Sequence, residues 1–157
     1  MAETLEPRQT DAPTRSHQVA LSSPFAVSDV VRPAATDKEP FMTQPIIMDV
    51  DTGIDDSLAL LYLLASPEAE ILAITCTSGN VPAKQVATNN LAWLELCGAP
   101  EIEVALGSEV PVLAPLMTTE ETHGPQGIGY AELPAPTRSL STRHATEVWI
   151  ELARSRP

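Results

Sequence analysis

The chain has 157 residues and a net charge of -12, from 21 acidic residues against 9 lysines and arginines. Nucleic-acid binding depends on Lys and Arg that neutralise phosphates, so this balance argues against a nucleic-acid partner and favours a cation site. No uninterrupted apolar run reaches the roughly 20 residues of a membrane helix, so we expect no membrane partner. The cysteines, Cys76 and Cys97, lack metal-ligand or disulfide spacing, which predicts free thiols in a reducing cytoplasm.

Residues 1–44 mix Pro, Ser, Thr, Asp and Arg without sustained periodicity, as in "EPRQTDAPTRSHQ". This composition is typical of a disordered extension. A secretory or transit signal fits poorly, because Glu3, Glu6 and Asp11 precede a short apolar run that Ser-Ser-Pro interrupts. We therefore place the folded part in residues 45–157.

Three apolar runs predict strands: "PIIMDV", "AEILAITCT" and "IEVALG". The first two are apolar on both faces, as strands of a parallel sheet covered by helices must be. Helices are predicted for "DDSLALLYLLAS", for residues 82–97 and for "STRHATEVWIELARS". This order predicts an α/β fold with an open, mostly parallel, Rossmann-like sheet and helices on both faces. The last helix needs a following strand, so we expect an incomplete fold and a chain that is the first part of a longer protein.

Local signals predict the helix ends. Pro82 suits the first turn of the second helix, and Gly98 suits the position just beyond its end. Either Ser141 or Thr142 is expected to cap the last helix. Core packing is predicted for three aromatic residues at helical spacing, namely Tyr62, Trp93 and Trp149.

A Pro- and Gly-rich loop is predicted over residues 108–139, between the third strand and the last helix. Loops of this length within a compact domain are usually functional or mobile. Thr118, Thr119 and Glu120 within it form no chemical pattern and receive no predicted role.

The segment "DVDTGIDD" concentrates four carboxylates where the first strand ends and a helix begins: Asp49, Asp51, Asp55 and Asp56. The helix N-terminus stabilises a negative group by about 0.3 to 1 kcal/mol. Two carboxylates about 4 Å apart repel by roughly 4 kcal/mol at an effective dielectric near 20. The cluster must therefore spread into water, bind protons or bind a cation. Oxygen ligands favour calcium or magnesium over zinc.

A simpler alternative is that Asp55 and Asp56 cap the helix while Asp49 and Asp51 remain solvated. The location favours a site, because open α/β sheets bind ligands at the carboxyl ends of their strands.

The same segment closely resembles the DxDxGxDD signature of the nucleoside hydrolases, the inosine-uridine preferring family of N-ribohydrolases. Three further segments resemble that family in the same order: "EAEILAITCTSGN", "THGPQGIG" and "RHATEVWIELARSRP". The resemblance covers residues 46–157 and implies the N-terminal portion of the family's fold. It also implies hydrolysis of the N-glycosidic bond of ribonucleosides to free base and ribose.

By this resemblance, Asp51 and Asp56 coordinate calcium, and Asp49 supports the metal cluster from its edge. The calcium carries the attacking water, and Asp51 takes its proton as general base. Asp55 and Asn80 are expected to bind the ribose hydroxyls. The full-length protein is expected to be a cytoplasmic homo-oligomer, a dimer or a tetramer.

The two histidines of the folded part receive different predictions. His123, in the "THGPQGIG" loop, is a candidate contact for the base or the ribose, whereas His144 is expected to be structural. The resemblance places the remaining parts of the active site further along a longer chain: a backbone carbonyl ligand, an Asn and a Glu for the ribose, and a His-Asp pair. None of these maps onto this sequence, so we expect the 157-residue chain alone to be inactive.

Two alternatives remain open at this point. A haloacid dehalogenase-like phosphohydrolase would use Asp49 as nucleophile, Asp51 as acid and base, and Thr75 or Thr77 to bind phosphate. Gly53 stands where that motif requires Thr or Val, which disfavours this alternative. The second is a truncated, non-catalytic protein that acts only through association with a partner.

Overall fold

The computed structural model describes residues 43–156. Seven elements follow one another along this part of the chain: β1 (Gln44–Val50), α1 (Ile54–Ala65), β2 (Ala69–Cys76), α2 (Ala83–Leu96), β3 (Glu103–Leu106), α3 (Glu120–His123) and α4 (Ala145–Ser155). Strands and helices alternate as predicted, and the observed bounds differ from the predicted ones by at most one residue at each end, except at α4. Of the predicted extension, residues 1–42 lie outside the described residues, and Gln44 already belongs to β1.

The three strands form one parallel sheet in the order β1-β2-β3. A register irregularity between Ile46 and Ile47 shifts the β1–β2 pairing by one residue. Beyond it, Asp49 lies opposite Thr75. Since parallel strands end at the same edge of the sheet, the segments that follow β1 and β2 meet there.

Helices cover both faces of the sheet, which confirms the predicted fold class. One face packs against α1 and α2 through Ile74, Leu60, Val86 and Leu94. The opposite face packs against α4, where Ala73 and Ala105 contact Val148. Strand side chains alternate between faces, so neighbours such as Ala73 and Ile74 serve different helices. The small alanines allow α4 to approach the sheet closely.

The predicted boundaries of α2 are largely confirmed. Pro82 lies one position before the first helical residue, as the N-cap, and Gly98 follows the end with a φ of 58°. Glycine adopts this left-handed conformation without the steric cost that other residues pay.

The predicted cap of α4 is wrong. The N-cap is His144, whose Nδ1 accepts from Thr146 N at 3.3 Å, while Glu147 Oε2 accepts from His144 N at 2.9 Å. Ser141 is engaged elsewhere, because its hydroxyl donates to Glu103 Oε1 at 2.6 Å. His144 therefore has a structural role, as predicted, and this role is to cap the N-terminus of α4.

Of the three aromatic residues predicted to pack in the core, only Trp93 does so. Tyr62 is 71% exposed and Trp149 is 44% exposed. Helical spacing identifies a stripe, but which helix face is covered depends on the elements packed against it.

The predicted loop over residues 108–139 contains the single helical turn α3. Its far end is held by Arg138, whose guanidinium donates to Ala99 O at 2.5 Å and to Pro100 O at 2.9 Å. Within residues 43–156, no helix is both long and apolar enough to cross a membrane.

Replacing Glu103 is expected to weaken the docking of α4. Hydrogen bonds from Arg143 hold the pKa of Glu103 below its usual value. A lowered pKa means that the charged form stabilises the fold above the ordinary pKa, and that this stabilisation is lost as pH falls through the folded pKa. Glu103→Gln should therefore lower the melting temperature at pH 7, measured by circular dichroism. The difference in melting temperature from the wild type should become smaller as the pH is lowered towards 3.

Glu109→Gln is the matched control, since Glu109 pairs with Lys84 in an exposed ion pair. Exposed pairs contribute little, so this variant should melt close to the wild type at every pH. A decrease in melting temperature for Glu103→Gln that is the same at every pH would contradict the ionic role of Glu103.

Candidate active site

Asp51 and Asp56 meet directly after β1. Oδ2 of Asp56 accepts a hydrogen bond from the backbone N–H of Asp51 at 3.2 Å. Asp56 lies in the first turn of α1. The tight turn through Thr52 and Gly53 therefore folds back, so that the Asp56 carboxylate reaches Asp51, the residue that follows the strand.

Asn80 joins this pair from the segment after β2. Its backbone N–H donates to Asp51 Oδ2 at 2.9 Å. Gly79 makes the approach possible, because a Cβ at this position would overlap with the Asp51 carboxylate. The predicted residues Asp51, Asp56 and Asn80 thus share one corner, and Gly79 is a determinant that the sequence analysis missed.

The loop that carries His123 packs onto the same corner. Thr119 contributes two hydrogen bonds: its hydroxyl donates to Asn80 Oδ1 at 2.9 Å, and its N–H donates to Asn80 O at 3.0 Å. No role was predicted for Thr119. Its hydroxyl orients the side-chain amide of Asn80, so that the Nδ2 group of Asn80 points towards Gly53.

His123, the last residue of α3, contacts the start of α1. Its Nδ1 accepts from the backbone N–H of Ile54 at 3.2 Å. In the neutral ring this leaves the hydrogen on Nε2, so His123 carries a donor on the nitrogen that is not bound to Ile54. Asp55 Oδ1 is 4.0 Å from the same Nδ1, and its side chain is largely exposed. Of the predicted ribose contacts, Asp55 is thus the one most accessible from solvent.

Asp49 makes a separate contact. Its Oδ1 accepts from the hydroxyl of Thr75 at 2.6 Å, and Thr75 Oγ1 in turn accepts from Trp149 Nε1 at 3.0 Å. Asp49 also lines a cavity of about 510 Å³ beside α4, together with His144 and Trp149. The hydroxyl of Thr75 is buried and engaged, which leaves it unsuited to bind phosphate in the dehalogenase alternative.

Burial and neighbouring charges disfavour the ionised form of Asp56. Burial raises the pKa of Asp56, and the charges of Asp51 and Asp55 raise it further. The carboxyl oxygens that Asp51 and Asp56 do not use in the contacts above are hard ligands of the type that calcium prefers. However, in the described part of the chain no three His, Cys, Asp or Glu residues converge as a metal site. The two carboxylates fit one part of a calcium shell.

Comparison with known proteins identifies the chain. Residues 46–157 match the family model of the inosine-uridine preferring nucleoside hydrolases. The chain belongs to this family. The match contains the corner of Asp51, Asp56 and Asn80, and it disfavours the dehalogenase alternative.

Relatives of this nucleoside hydrolase family member match nearly three quarters of the chain. Uridine nucleosidase 1 of Arabidopsis thaliana is 36% identical over 115 residues, which are 73% of this chain and 34% of the relative. The pyrimidine-specific ribonucleoside hydrolase RihA of Salmonella enteritidis is 37% identical over 113 residues, which are 72% of this chain and 36% of the RihA chain. The chain thus spans about a third of the length of these relatives.

Solved structures share the fold of this family member. The purine-preferring ribonucleoside hydrolase from Gardnerella vaginalis superposes with a TM-score of 0.67 at 36% sequence identity, and the match covers 71% of this chain and 36% of that one. The structure of an inosine-guanosine nucleoside hydrolase superposes with a TM-score of 0.68 at 28% sequence identity, and the match covers 73% of this chain and 35% of that one.

Removing the charge of Asp56 should stabilise the metal-free chain. A raised pKa means that the folded state binds more protons than the unfolded state above the ordinary value of 3.8, so stability falls as pH rises through this range. Asp56→Asn should therefore raise the free energy of unfolding at pH 7, measured by urea denaturation in chelator, and the gain should vanish near pH 3.

The control is Glu101→Gln, an exposed carboxylate at the opposite end of the sheet. It should leave the free energy of unfolding nearly unchanged at both pH values. An Asp56→Asn variant that is less stable than the wild type at pH 7 would show that the corner is not electrostatically strained.

Proposed function

We propose that this chain carries part of the active site of an enzyme that hydrolyses the N-glycosidic bond of ribonucleosides. The proposal rests on the corner formed by three residues. In it, Asp51 Oδ2 accepts a hydrogen bond from the Asn80 N–H at 2.9 Å, and the Asp51 N–H donates to Asp56 Oδ2 at 3.2 Å. The names of the relatives cover uridine, pyrimidine and purine nucleosides. Their common element is the ribose, which supports ribonucleosides as the substrate class.

Asp51 is the proposed general base. Oδ2 is engaged by Asn80, so Oδ1 is the oxygen available to take a proton from the attacking water. The water oxygen bonds to the anomeric carbon as the C–N bond breaks, and the bond electrons leave with the nucleobase, which takes up a proton equivalent to the one that Asp51 removed from the water. The sugar becomes oxocarbenium-like in this step, and the nearby carboxylates stabilise its positive charge.

Ribose binding is assigned to Asp55 and Asn80. The exposed carboxylate of Asp55 can accept from sugar hydroxyls, and the Asn80 Nδ2 group, oriented through Thr119, can donate to them. His123 would contact the base or the ribose through its Nε2–H. A site built to bond a hydroxyl rejects the analogue that lacks it, so 2'-deoxynucleosides should be poor substrates.

Calcium is the proposed cofactor, held by Asp51 and Asp56 with Asp49 as an outer support. When bound, the ion would neutralise the corner, orient the sugar hydroxyls and acidify a water molecule. Calcium takes six to eight oxygen ligands, more than the four carboxylate oxygens that Asp51 and Asp56 carry together. We therefore expect the 157-residue chain alone to release little or no ribose. Cytoplasmic location and a homo-oligomeric full-length protein stay predictions.

A chimera tests the proposed function. Residues 46–157 would replace the matched third of the purine-preferring hydrolase from Gardnerella vaginalis, whose fold this part of the chain shares. The chimera should release ribose from inosine or uridine. Asp51→Asn in the chimera should lower kcat by about 100-fold or more, because general-base catalysis contributes roughly 10² to 10⁴. The 2'-deoxy analogues should turn over far more slowly.

Glu101→Gln in the same chimera should keep full activity, since Glu101 lies at the opposite end of the sheet. Circular dichroism establishes that each chimera is folded. A folded chimera without hydrolytic activity would contradict the enzymatic role and favour a protein that acts only through association. Equal turnover of ribo- and deoxyribonucleosides would contradict the assigned ribose contacts.

Calcium binding can be measured independently of turnover. Calorimetry on the chimera should detect calcium uptake, and Gly79→Ala should abolish it, because the added methyl group would displace the Asp51 carboxylate. Ser78→Ala is the neighbouring control, since the Ser78 hydroxyl makes only a long contact of 3.5 Å to Ser108 O. Calcium uptake by Gly79→Ala equal to that of the control would contradict the assignment of Asp51 as a ligand.

A further inference from the structure

Helix α2 carries polar side chains on a face that is otherwise apolar. Asn89 and Asn90 are 2% and 1% exposed, among the core residues Val86, Ala87 and Leu91. Burying an amide is favourable only when its hydrogen bonds are made, and apolar residues of similar size would pack here at lower cost. The two asparagines therefore call for an explanation beyond the stability of the core.

Asn90 binds the turn that carries Asp51. Its Nδ2 donates to the hydroxyl of Thr52 at 2.7 Å and to Val86 O at 3.0 Å. Thr52 directly follows Asp51 in the chain and is fully buried. Within the described residues, Asn90 Oδ1 has no hydrogen-bond partner. The Asn90 side chain thus makes its hydrogen bond to Thr52 although its own buried Oδ1 atom is left without a partner.

A second link from α2 supports the same turn. Trp93, one turn along from Asn90, donates from Nε1 to Ser57 Oγ at 3.1 Å. Ser57 Oγ then donates to Gly53 O at 2.8 Å. The turn between Asp51 and α1 is therefore held at Thr52 and at Gly53 by the same helix.

Asn89 binds the other half of the site. Its Nδ2 donates to Gln126 O at 2.7 Å, and its Oδ1 accepts from Gln85 Nε2 at 2.8 Å. Gln126 lies in the loop that places His123, and this loop is closed by the bond from Gly129 N to His123 O at 2.7 Å. Asn89 thus fixes the loop to α2 independently of the contacts made by Thr119.

We propose that Asn89 and Asn90 are positioning residues with separate tasks: Asn90 orients the turn of Asp51 through Thr52, and Asn89 orients the His123 loop through Gln126. For its consequence in catalysis this inference rests on the proposed function. Loss of the Thr52 link should then impair the chemical step at Asp51, whereas loss of the Gln126 link should impair substrate binding by the loop.

Amide hydrogen exchange of the full 157-residue chain, followed by NMR, tests the division directly. Thr52→Val keeps the side-chain shape and removes the acceptor of Asn90, and Asn89→Leu keeps approximate volume and removes the donor to Gln126. Thr52→Val should speed exchange of the Ser57 amide about tenfold and leave the Gly129 amide unchanged, whereas Asn89→Leu should do the reverse. Thr52→Ser, which retains the hydroxyl, should restore slow exchange at Ser57.

Thr88→Ala, an exposed change on the same helix, is the control and should alter neither amide. Equal acceleration of both amides by both variants would show loss of global stability only and would overturn the inference. No acceleration by either variant, measured against Thr88→Ala, would overturn it too. These outcomes need no enzymatic activity, so they decide the inference even if the proposed function fails.

In the active chimera, Thr52→Val should lower kcat about tenfold with KM nearly unchanged, and Thr52→Ser should restore kcat. Asn89→Leu should raise KM about tenfold with kcat nearly unchanged. The same change in kcat and KM for both variants would overturn the separate tasks. A wild-type chimera without turnover would instead count against the proposed function.

Discussion

The hydrogen bond from the Asn80 N–H to Asp51 Oδ2 holds the site together. It joins the segments that leave β1 and β2, which are neighbours only because the two strands are parallel and end at the same edge. The bond requires a residue without a side chain at Gly79, where a Cβ would overlap with the carboxylate. A charge-assisted bond of this kind is stronger than one between neutral groups.

The same geometry concentrates negative charge. Asp56 reaches the Asp51 N–H, and burial together with the charges of Asp51 and Asp55 raises its pKa. A fold selected only for stability would disperse these carboxylates. Their retention in one corner is consistent with a cation and an electron-poor sugar as the groups that relieve the repulsion, since both are positively charged in the proposed reaction.

Helix α2 links the core to this corner. Its apolar residues pack on the sheet, whereas Asn89 and Asn90 donate hydrogen bonds to the loop and the turn on which the site residues lie. Trp93 supports the same turn through Ser57, which donates to Gly53 O. Buried polar groups that are bonded in this way favour one arrangement over others, because any displacement leaves them unsatisfied in a low-dielectric surrounding. Rigid support of this kind suits a site whose ligands must stay within bonding distance.

The sequence alone determined the order of strands and helices, the parallel sheet and the acidic segment, because hydrophobic periodicity and turn residues are local properties. It also identified the family through short motifs such as "DVDTGIDD". It did not determine the N-cap His144, the exposure of Tyr62 and Trp149, or the roles of Thr119, Asn89 and Asn90. Each of these depends on residues distant in the chain, such as Thr119 with Asn80, and only the tertiary structure decides which distant groups become neighbours.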